Sequence, residues 1–297
     1  MLGLSIKQKV LIAIGGGLFV IALYFLFFAT SEVIVELPPP PEPVVTETIT
    51  EIGRSVEDRP IQAHSFGTGE THLMFVGGIH GGYEWNSVML AYRFIDYLKA
   101  NPAVLPANIK VTVVPSMNPD GLFAVVGKGG RFEVADAPDV HDNSGTGRFN
   151  ANGVDLNRNF DCKWQAESTW RGNTVGAGTA PFSEPEAAAL RDLVLEDKPD
   201  AVIFWHSQAN AVYGSECNEG ILPGTMTVLN TYASAAGYPA VPAFTSYPIT
   251  GDAEGWLASI SVPAITVELA SHQILEWEKN LAGSRALLEY FEVKRSQ

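Results

Sequence analysis

Four short apolar runs punctuate the chain after residue 70: "HLMFVGGI" (72–79), "IKVTVVP" (109–115), "DAVIFW" (200–205) and "AITVEL" (264–269). Each is too short for a typical helix and too continuous for a half-exposed strand, so each predicts a strand covered on both faces. Between them, "EWNSVMLAYRFIDYLKA" (84–100) carries apolar residues at helical spacing. "SEPEAAALRDLVLE" (183–196) opens with Ser183 and has Glu186 three residues later, the spacing of a capping box. Strands alternating with amphipathic helices predict an α/β chain: three layers, α/β/α, around a central mixed, mostly parallel twisted sheet.

The N-terminal pattern is different. From Val10 to Ala29 there are twenty consecutive uncharged residues. As a helix they would span roughly 30 Å, the thickness of a bilayer's hydrocarbon core. Lys7 and Lys9 precede the run, and no Lys or Arg follows before Arg54. That asymmetry predicts a single-pass anchor, with residues 1–31 as cytoplasmic stub and transmembrane helix and the rest outside the cytoplasm. A cleaved signal peptide followed by secretion is the competing expectation, although "FFATSE" is a weak cleavage site. Residues 32–51 contain four consecutive prolines and an acidic, β-branched remainder, which read as an extended linker. A single folded domain is expected over 52–297.

With 46% hydrophobic residues, that domain can bury a substantial core. A formal charge of −14 argues against nucleic acid, whose phosphates require clustered Lys and Arg. Nothing in the pattern calls for an obligate protein partner.

Chemistry enters at the strand ends. His80 follows the first run, His206 follows the third, and Glu268 lies near the end of the fourth. In open α/β sheets, ligands bind beyond the carboxyl ends of the strands, so three such residues at equivalent ends can converge. Each alone would read as an ordinary surface or strand-end polar residue.

In order along the chain stand His80 with Glu84, "SMNPDG" (116–121), "GVDLNRNF" (153–160), "APFSEPE" (180–186), "WHS" (205–207) and "TVEL" (266–269). This succession resembles the zinc carboxypeptidase family over about residues 52–294. The resemblance implies one Zn2+ per chain, held by His80, Glu84 and His206, a donor set that leaves a position for water. It implies that Glu268 is the general base, that Asp155 orients His80, and that Asn157 and Arg158 bind the substrate's terminal carboxylate. Arg148 would stabilise the oxyanion, with Arg131 as the alternative, and Tyr247 would close over the substrate. One departure stands out: three residues separate His80 from Glu84 where the family has two, and Gly81 and Gly82 offer a bulged turn to absorb the extra one.

By its place between Tyr247 and Trp256, Glu254 corresponds to the floor of the pocket for the terminal side chain, with Asp252 as the competing acid. An acid there predicts preference for basic or diamino-acid ends. Cys162 and Cys217 are the only cysteines and, outside the cytoplasm, predict a disulfide; ligation of a metal is the alternative. The expected activity is hydrolysis of the C-terminal peptide bond of peptides. The alternatives are an amidase of the same fold acting on peptidoglycan peptides, and a non-catalytic module that binds C-termini.

Overall fold

The computed structural model describes residues 3, 5–11, 24, 46–138 and 144–294. The chain divides into two units, residues 1–41 and 42–297. In the first, residues 6–11 are helical. The expected transmembrane run, 10–29, lies almost wholly outside the described residues, as does the proline-rich part of the linker. Among the described residues no helix is long and apolar enough to cross a membrane.

Among the described residues, the second unit is built on ten strands: β1 (Glu47–Arg54), β2 (Pro60–Phe66), β3 (Thr71–Val76), β4 (Ile109–Val114), β5 (Glu167–Trp170), β6 (Asn173–Gly176), β7 (Ala201–Ser207), β8 (Ala211–Gly214), β9 (Ala240–Val241) and β10 (Ala264–Leu269). Eight of them form one sheet in the order β1-β2-β4-β3-β7-β10-β8-β9, and β5 and β6 make a separate hairpin. The four central strands, β4-β3-β7-β10, are parallel. They are the four apolar runs of the sequence. Antiparallel pairings join β1 to β2, β2 to β4 and β8 to β10, so the sheet is mixed.

β1 corrects the expected boundary at residue 52. Its β-branched Thr48, Ile49 and Thr50 pair with β2, and the Glu47 carboxylate lies 2.8 Å from His64 Nδ1 and accepts a hydrogen bond from Lys99 at 2.7 Å. The last five residues of the expected linker are therefore sheet.

Helices cover both faces. They are α1 (Trp85–Ala100), α2 (Pro119–Val126), α3 (Pro185–Asp197), α4 (Pro223–Ala236), α5 (Ala253–Ser259) and α6 (Trp277–Lys294). Strand alternation sorts the side chains into two cores. Leu73, Phe75, Ile203 and Trp205 face α1, α4 and α6, while Met74, Val76, Val202 and Phe204 face α3 and α5. Each large apolar side chain buried this way contributes about 1.5–3 kcal/mol relative to exposure. Residues Val88, Ala91, Ile95 and Leu98 are the buried stripe of α1. The capping box expected from Ser183 and Glu186 does not form. Pro185 is the first helical residue of α3, Glu184 is its cap, and the Ser183 hydroxyl bonds Glu184.

Two local features place the site. In the parallel pairing of β10 with β7, Glu268 lies directly opposite His206, so the two side chains leave the sheet on the same face. The start of α5 is bound to the loop after Arg158: Phe160 N–H donates to Gly251 O at 2.9 Å and Gly251 N–H to Cys162 O at 2.7 Å. Gly251 has φ +71°, and a Cβ there would stand 2.2 Å from the Arg158 carbonyl oxygen. Gly251→Ala is expected to lower unfolding stability by ~1–3 kcal/mol, from positive-φ strain and the clash together. Denaturant unfolding of the two proteins measures it.

Candidate active site

The turn that carries the first pair of residues begins where β3 ends. His80 precedes a 3-10 turn, Gly81–Glu84, and Gly81 sits at φ +49°. The backbone there touches the segment around Gly147, since a Cβ on Gly81 would lie 2.7 Å from the Gly147 carbonyl oxygen. This tight turn absorbs the extra residue of the His80–Glu84 spacing and brings both side chains inward.

His80, Glu84 and His206 are all buried, and one potential ligand atom from each lies within 4.8 Å of the others. Glu84 Oε2 is 3.2 Å from His206 Nδ1 and accepts a hydrogen bond from Ser207 N–H at 3.1 Å. His80 Nδ1 and His206 Nε2 have no hydrogen-bond partner. Two imidazoles with unsatisfied nitrogens and one carboxylate fit a single zinc ion.

The electrostatics agree. Burial, reinforced by the Arg148 charge, holds the His80 imidazole well below its usual pKa, in the neutral form that ligates. Burial disfavours charge on His206 too, but the Glu84 and Glu254 carboxylates outweigh it and raise that pKa well above normal. A proton is retained where a metal cation would sit. Glu268, half-buried across from His206, is pushed up to about 7 by burial and by the nearby Glu84 charge. A carboxyl group titrating near neutrality can take up a proton and return it.

Around this centre lies a cleft of about 810 Å³. Arg148 lines it, fully engaged on one side: Nε and Nη2 donate to Asp155 Oδ2 at 3.0 and 2.9 Å. Its Nη1 faces Glu84 Oε1 at 3.7 Å, and the guanidinium carbon lies 4.5 Å from the centre of the Trp170 ring. Asp155 is completely buried, with Oδ1 3.6 Å from His80 Nδ1. Its firm bonds go to Arg148 and to Asn157 N–H, so it fixes the arginine more tightly than the histidine it was expected to orient.

Asn157 and Arg158 follow on a 3-10 turn, and both line the cleft. Asn157 Oδ1 accepts from Ala253 N–H at 2.8 Å, and the same side chain hydrogen-bonds the Glu254 carboxylate, so it is tied to the start of α5. Arg158 donates to the Asn157 and Thr169 carbonyls, while its buried Nε has no partner. Tyr247 lies on the cleft wall, half-buried against Phe244 at 4.8 Å between ring centres. Cys162 and Cys217 form a disulfide beside the cleft, which excludes them as metal ligands.

One expectation is corrected. Arg131, the alternative oxyanion residue, pairs with Asp96 on the surface, 47% exposed and outside the cleft lining. Glu254 lines the cleft, where its Oε1 lies 3.2 Å from His206 Nε2 and accepts from the Thr266 hydroxyl at 3.1 Å. Asp252 caps α5 by accepting from Gly255 N–H at 2.7 Å, and burial together with the Glu254 charge raises its pKa to about 6.

Sequence reasoning missed a further group. His272 Nδ1 is 2.7 Å from the Ser207 hydroxyl, which itself donates to Asn86 Oδ1, and the His272 ring packs on Tyr83. Arg171, on the turn of the β5–β6 hairpin, donates to the Tyr83 hydroxyl at 3.1 Å. Lone residues in loops of this kind carry no spacing signal.

Comparison with known proteins agrees with this geometry. The zinc carboxypeptidase family matches residues 42–275, and the chain belongs to it. It is 29% identical over 243 residues to gamma-D-glutamyl-L-diamino acid endopeptidase 1 of Lysinibacillus sphaericus, covering 75% of this chain but only 60% of that protein. The chain therefore spans less than two thirds of that relative's length. Among solved structures, bovine thrombin-activatable fibrinolysis inhibitor superposes with a TM-score of 0.63 at 18% identity, covering 84% of this chain and 90% of that one. The murein-tripeptide amidase of Escherichia coli O157 gives 0.56 at 23% identity, covering 86% and 96%. Zinc is the metal of the family, and His80, Glu84 and His206 are the triad able to hold it here.

Variants separate the roles. His206→Ala is expected to lose zinc, and Glu84→Gln to weaken it markedly, as read by metal content after dialysis. Glu268→Gln should keep the metal and lose at least ~10²-fold in peptide hydrolysis. Full zinc binding by His206→Ala, or full turnover by Glu268→Gln, contradicts these assignments.

Proposed function

We propose that the protein removes the C-terminal residue of short peptides by zinc-dependent hydrolysis, preferring basic or diamino-acid ends such as those of peptidoglycan peptides. The observation that carries the reading is the placement of Glu268 opposite His206, beside the metal triad, in a cleft that also holds Arg158.

Zinc, when bound, supplies a nucleophilic water at neutral pH and polarises the scissile carbonyl. Glu268 takes that water's proton on its carboxylate and delivers it to the departing amine nitrogen. Arg148, held rigid by Asp155, presents Nη1 to the oxygen that becomes negative. A preorganised donor of this kind is worth roughly 2.7–4 kcal/mol. Arg158 and Asn157 hold the substrate's free carboxylate, which fixes the bond to be cut one residue from the end. Tyr247 closes the outer wall and excludes water.

The terminal side chain meets an acidic region. Asp252 and Glu254 both line the cleft on α5, beside Arg158. An acid facing a partly desolvated pocket favours an ammonium or guanidinium and penalises apolar ends. The names of two relatives support the diamino-acid end: the Lysinibacillus endopeptidase is described by its gamma-D-glutamyl-L-diamino acid bond, and the Escherichia coli structure as a murein-tripeptide amidase.

A location outside the cytoplasm, with the chain anchored by residues 10–29, belongs to the same proposal. Its support is the uncharged run with Lys7 and Lys9 before it, together with a disulfide that persists in oxidising compartments.

Two measurements test this reading. Full-length protein given peptides ending in Lys, Arg, diaminopimelate, Phe or Leu should release the cationic residues faster, with the products read by mass. Asp252→Asn should narrow that preference, and faster release of Phe or Leu refutes it. In cells, the protein should remain in the membrane fraction after a high-salt wash. A mature N-terminus near Ser31 would instead establish cleavage and secretion.

A further inference from the structure

The β5–β6 hairpin turns on a residue that turn chemistry does not select. Trp170 pairs with Asn173, so Arg171 and Gly172 are the whole loop, at φ +51° and +80°. A two-residue hairpin with both φ positive is ordinarily filled by Asn-Gly or Asp-Gly, because a long side chain is strained there. Arg171 holds the first place nonetheless, and a residue kept in strained backbone points to a use for its side chain. That side chain lines the cleft. Its Nη1 donates to the Tyr83 hydroxyl at 3.1 Å, and the guanidinium carbon lies 5.8 Å from the centre of the Trp170 ring. Among the described residues no carboxylate pairs with it, whereas Arg148 is committed to Asp155.

The hairpin also sets the order of charges along the cleft. Arg158 donates to the Thr169 carbonyl, Arg148 lies 4.5 Å from the centre of the Trp170 ring, and Arg171 comes next. Three guanidiniums are thus met at three successive residues of the hairpin. Under the proposed hydrolysis, Arg158 holds the terminal carboxylate and Arg148 faces the carbonyl under attack. A peptide laid across both directs its acyl residue, the one that owns the attacked carbonyl, towards Arg171. We propose that Arg171 forms a subsite for a carboxylate on that acyl residue, and so selects substrates with a second negative charge one residue before the end. The subsite rests on the hydrolytic reading of the cleft.

The guanidinium is steadied on one side and open on the other. Tyr83, which takes Nη1, packs edge-on against Trp170 and His272, with ring centres 5.3 and 4.8 Å away. The edge formed by Nε and Nη2, the edge with which Arg148 grips Asp155, bonds no protein group among the described residues. Such an edge takes a carboxylate through two parallel hydrogen bonds. A carboxylate reaches this position in two chemical forms. An α-linked Asp or Glu carries it on the side chain. A glutamyl residue joined through its γ-carboxyl keeps a free α-carboxylate instead. Asp252 and Glu254 lie on α5 at the Arg158 end of the line, where Asn157 bonds Ala253. The complementary substrate therefore carries a cation on its last side chain and an anion on the residue before it.

The test uses zinc-loaded full-length protein and four peptides ending in Lys that differ only in the penultimate residue. That residue is γ-linked glutamate, its α-carboxamide, α-linked Glu or α-linked Gln. For the unmodified protein, kcat/KM should favour the acid over its matched amide by ~10-fold in at least one pair, and the pair that shows it identifies the form of carboxylate taken. Arg171→Asn suits a positive φ and keeps the turn, which near-ultraviolet circular dichroism confirms, yet the ratio should fall to about 1–2. Arg171→Lys keeps the charge without the fork and should give an intermediate ratio. Binding is read separately by calorimetry in Glu268→Gln, which should hold the acid ~10-fold more tightly than the amide and lose that difference when Arg171→Asn is added. An acid-to-amide ratio near one in both pairs overturns the proposal, as does a preference that Arg171→Asn leaves intact. Hydrolysis of none of the four peptides would instead overturn the reading beneath it.

Discussion

The register between β7 and β10 is the constraint on which the site depends. Parallel pairing sets Glu268 against His206 and Thr266 against Phe204, so histidine, glutamate and threonine share one face of the sheet. A slip of one residue would turn Glu268 towards the opposite core, among Phe75 and Trp205, and leave a carboxylate buried in apolar surroundings. The register is fixed by burial on both faces: Ile203 and Ile265 fill one core, and Val202 and Ala264 the other. Packing energy spread over the whole sheet therefore aligns two side chains at its end.

Charge then organises what geometry has assembled. Glu84, Glu254 and Glu268 surround a single imidazole, and Arg148 is committed to Asp155. Burial first, and then like charges at such short range, raise a carboxyl group's pKa, as Glu268 and Asp252 record, unless a cation intervenes. Without metal, His206 supplies that cation by keeping a proton. Binding of zinc and departure of that proton are therefore one linked event, and affinity must rise with pH until His206 is neutral.

Much of this was legible in the sequence, for physical reasons that also explain the gaps. The four central strands announced themselves because strands covered on both faces need unbroken apolar runs. β1 was hidden because its "ETITEIGR" reads as polar linker; only one face of it packs, and its partners lie in β2 and α3. The triad was recoverable from order along the chain even with an extra residue between His80 and Glu84, since two glycines allowed the turn to tighten. The position of Glu254 could be counted from Tyr247 and Trp256, but its partner could not. Which atom it reaches depends on how α5 docks, and that is set by backbone bonds from Gly251 to Phe160 and Cys162, residues outside the counted motif. The expected cap at Ser183 failed for a similar local reason: Pro185 took the first helical position, and the serine hydroxyl turned to Glu184 and Asn159.

The ends of the sheet carry a consequence for how copies of the protein meet. Among the described residues, one border is β1, whose pairing with β2 is broken by an irregularity between Glu51 and Gly53. Charged Glu47, Glu51 and Arg54 lie along that strand. The other border, β9, is two residues long. An unprotected border strand is a template on which another chain can add a strand and begin a fibre. Here one border is bent and charged, and the other offers too few backbone groups to seed a ladder. Copies can be crowded together and still meet through side chains, without fusing their sheets.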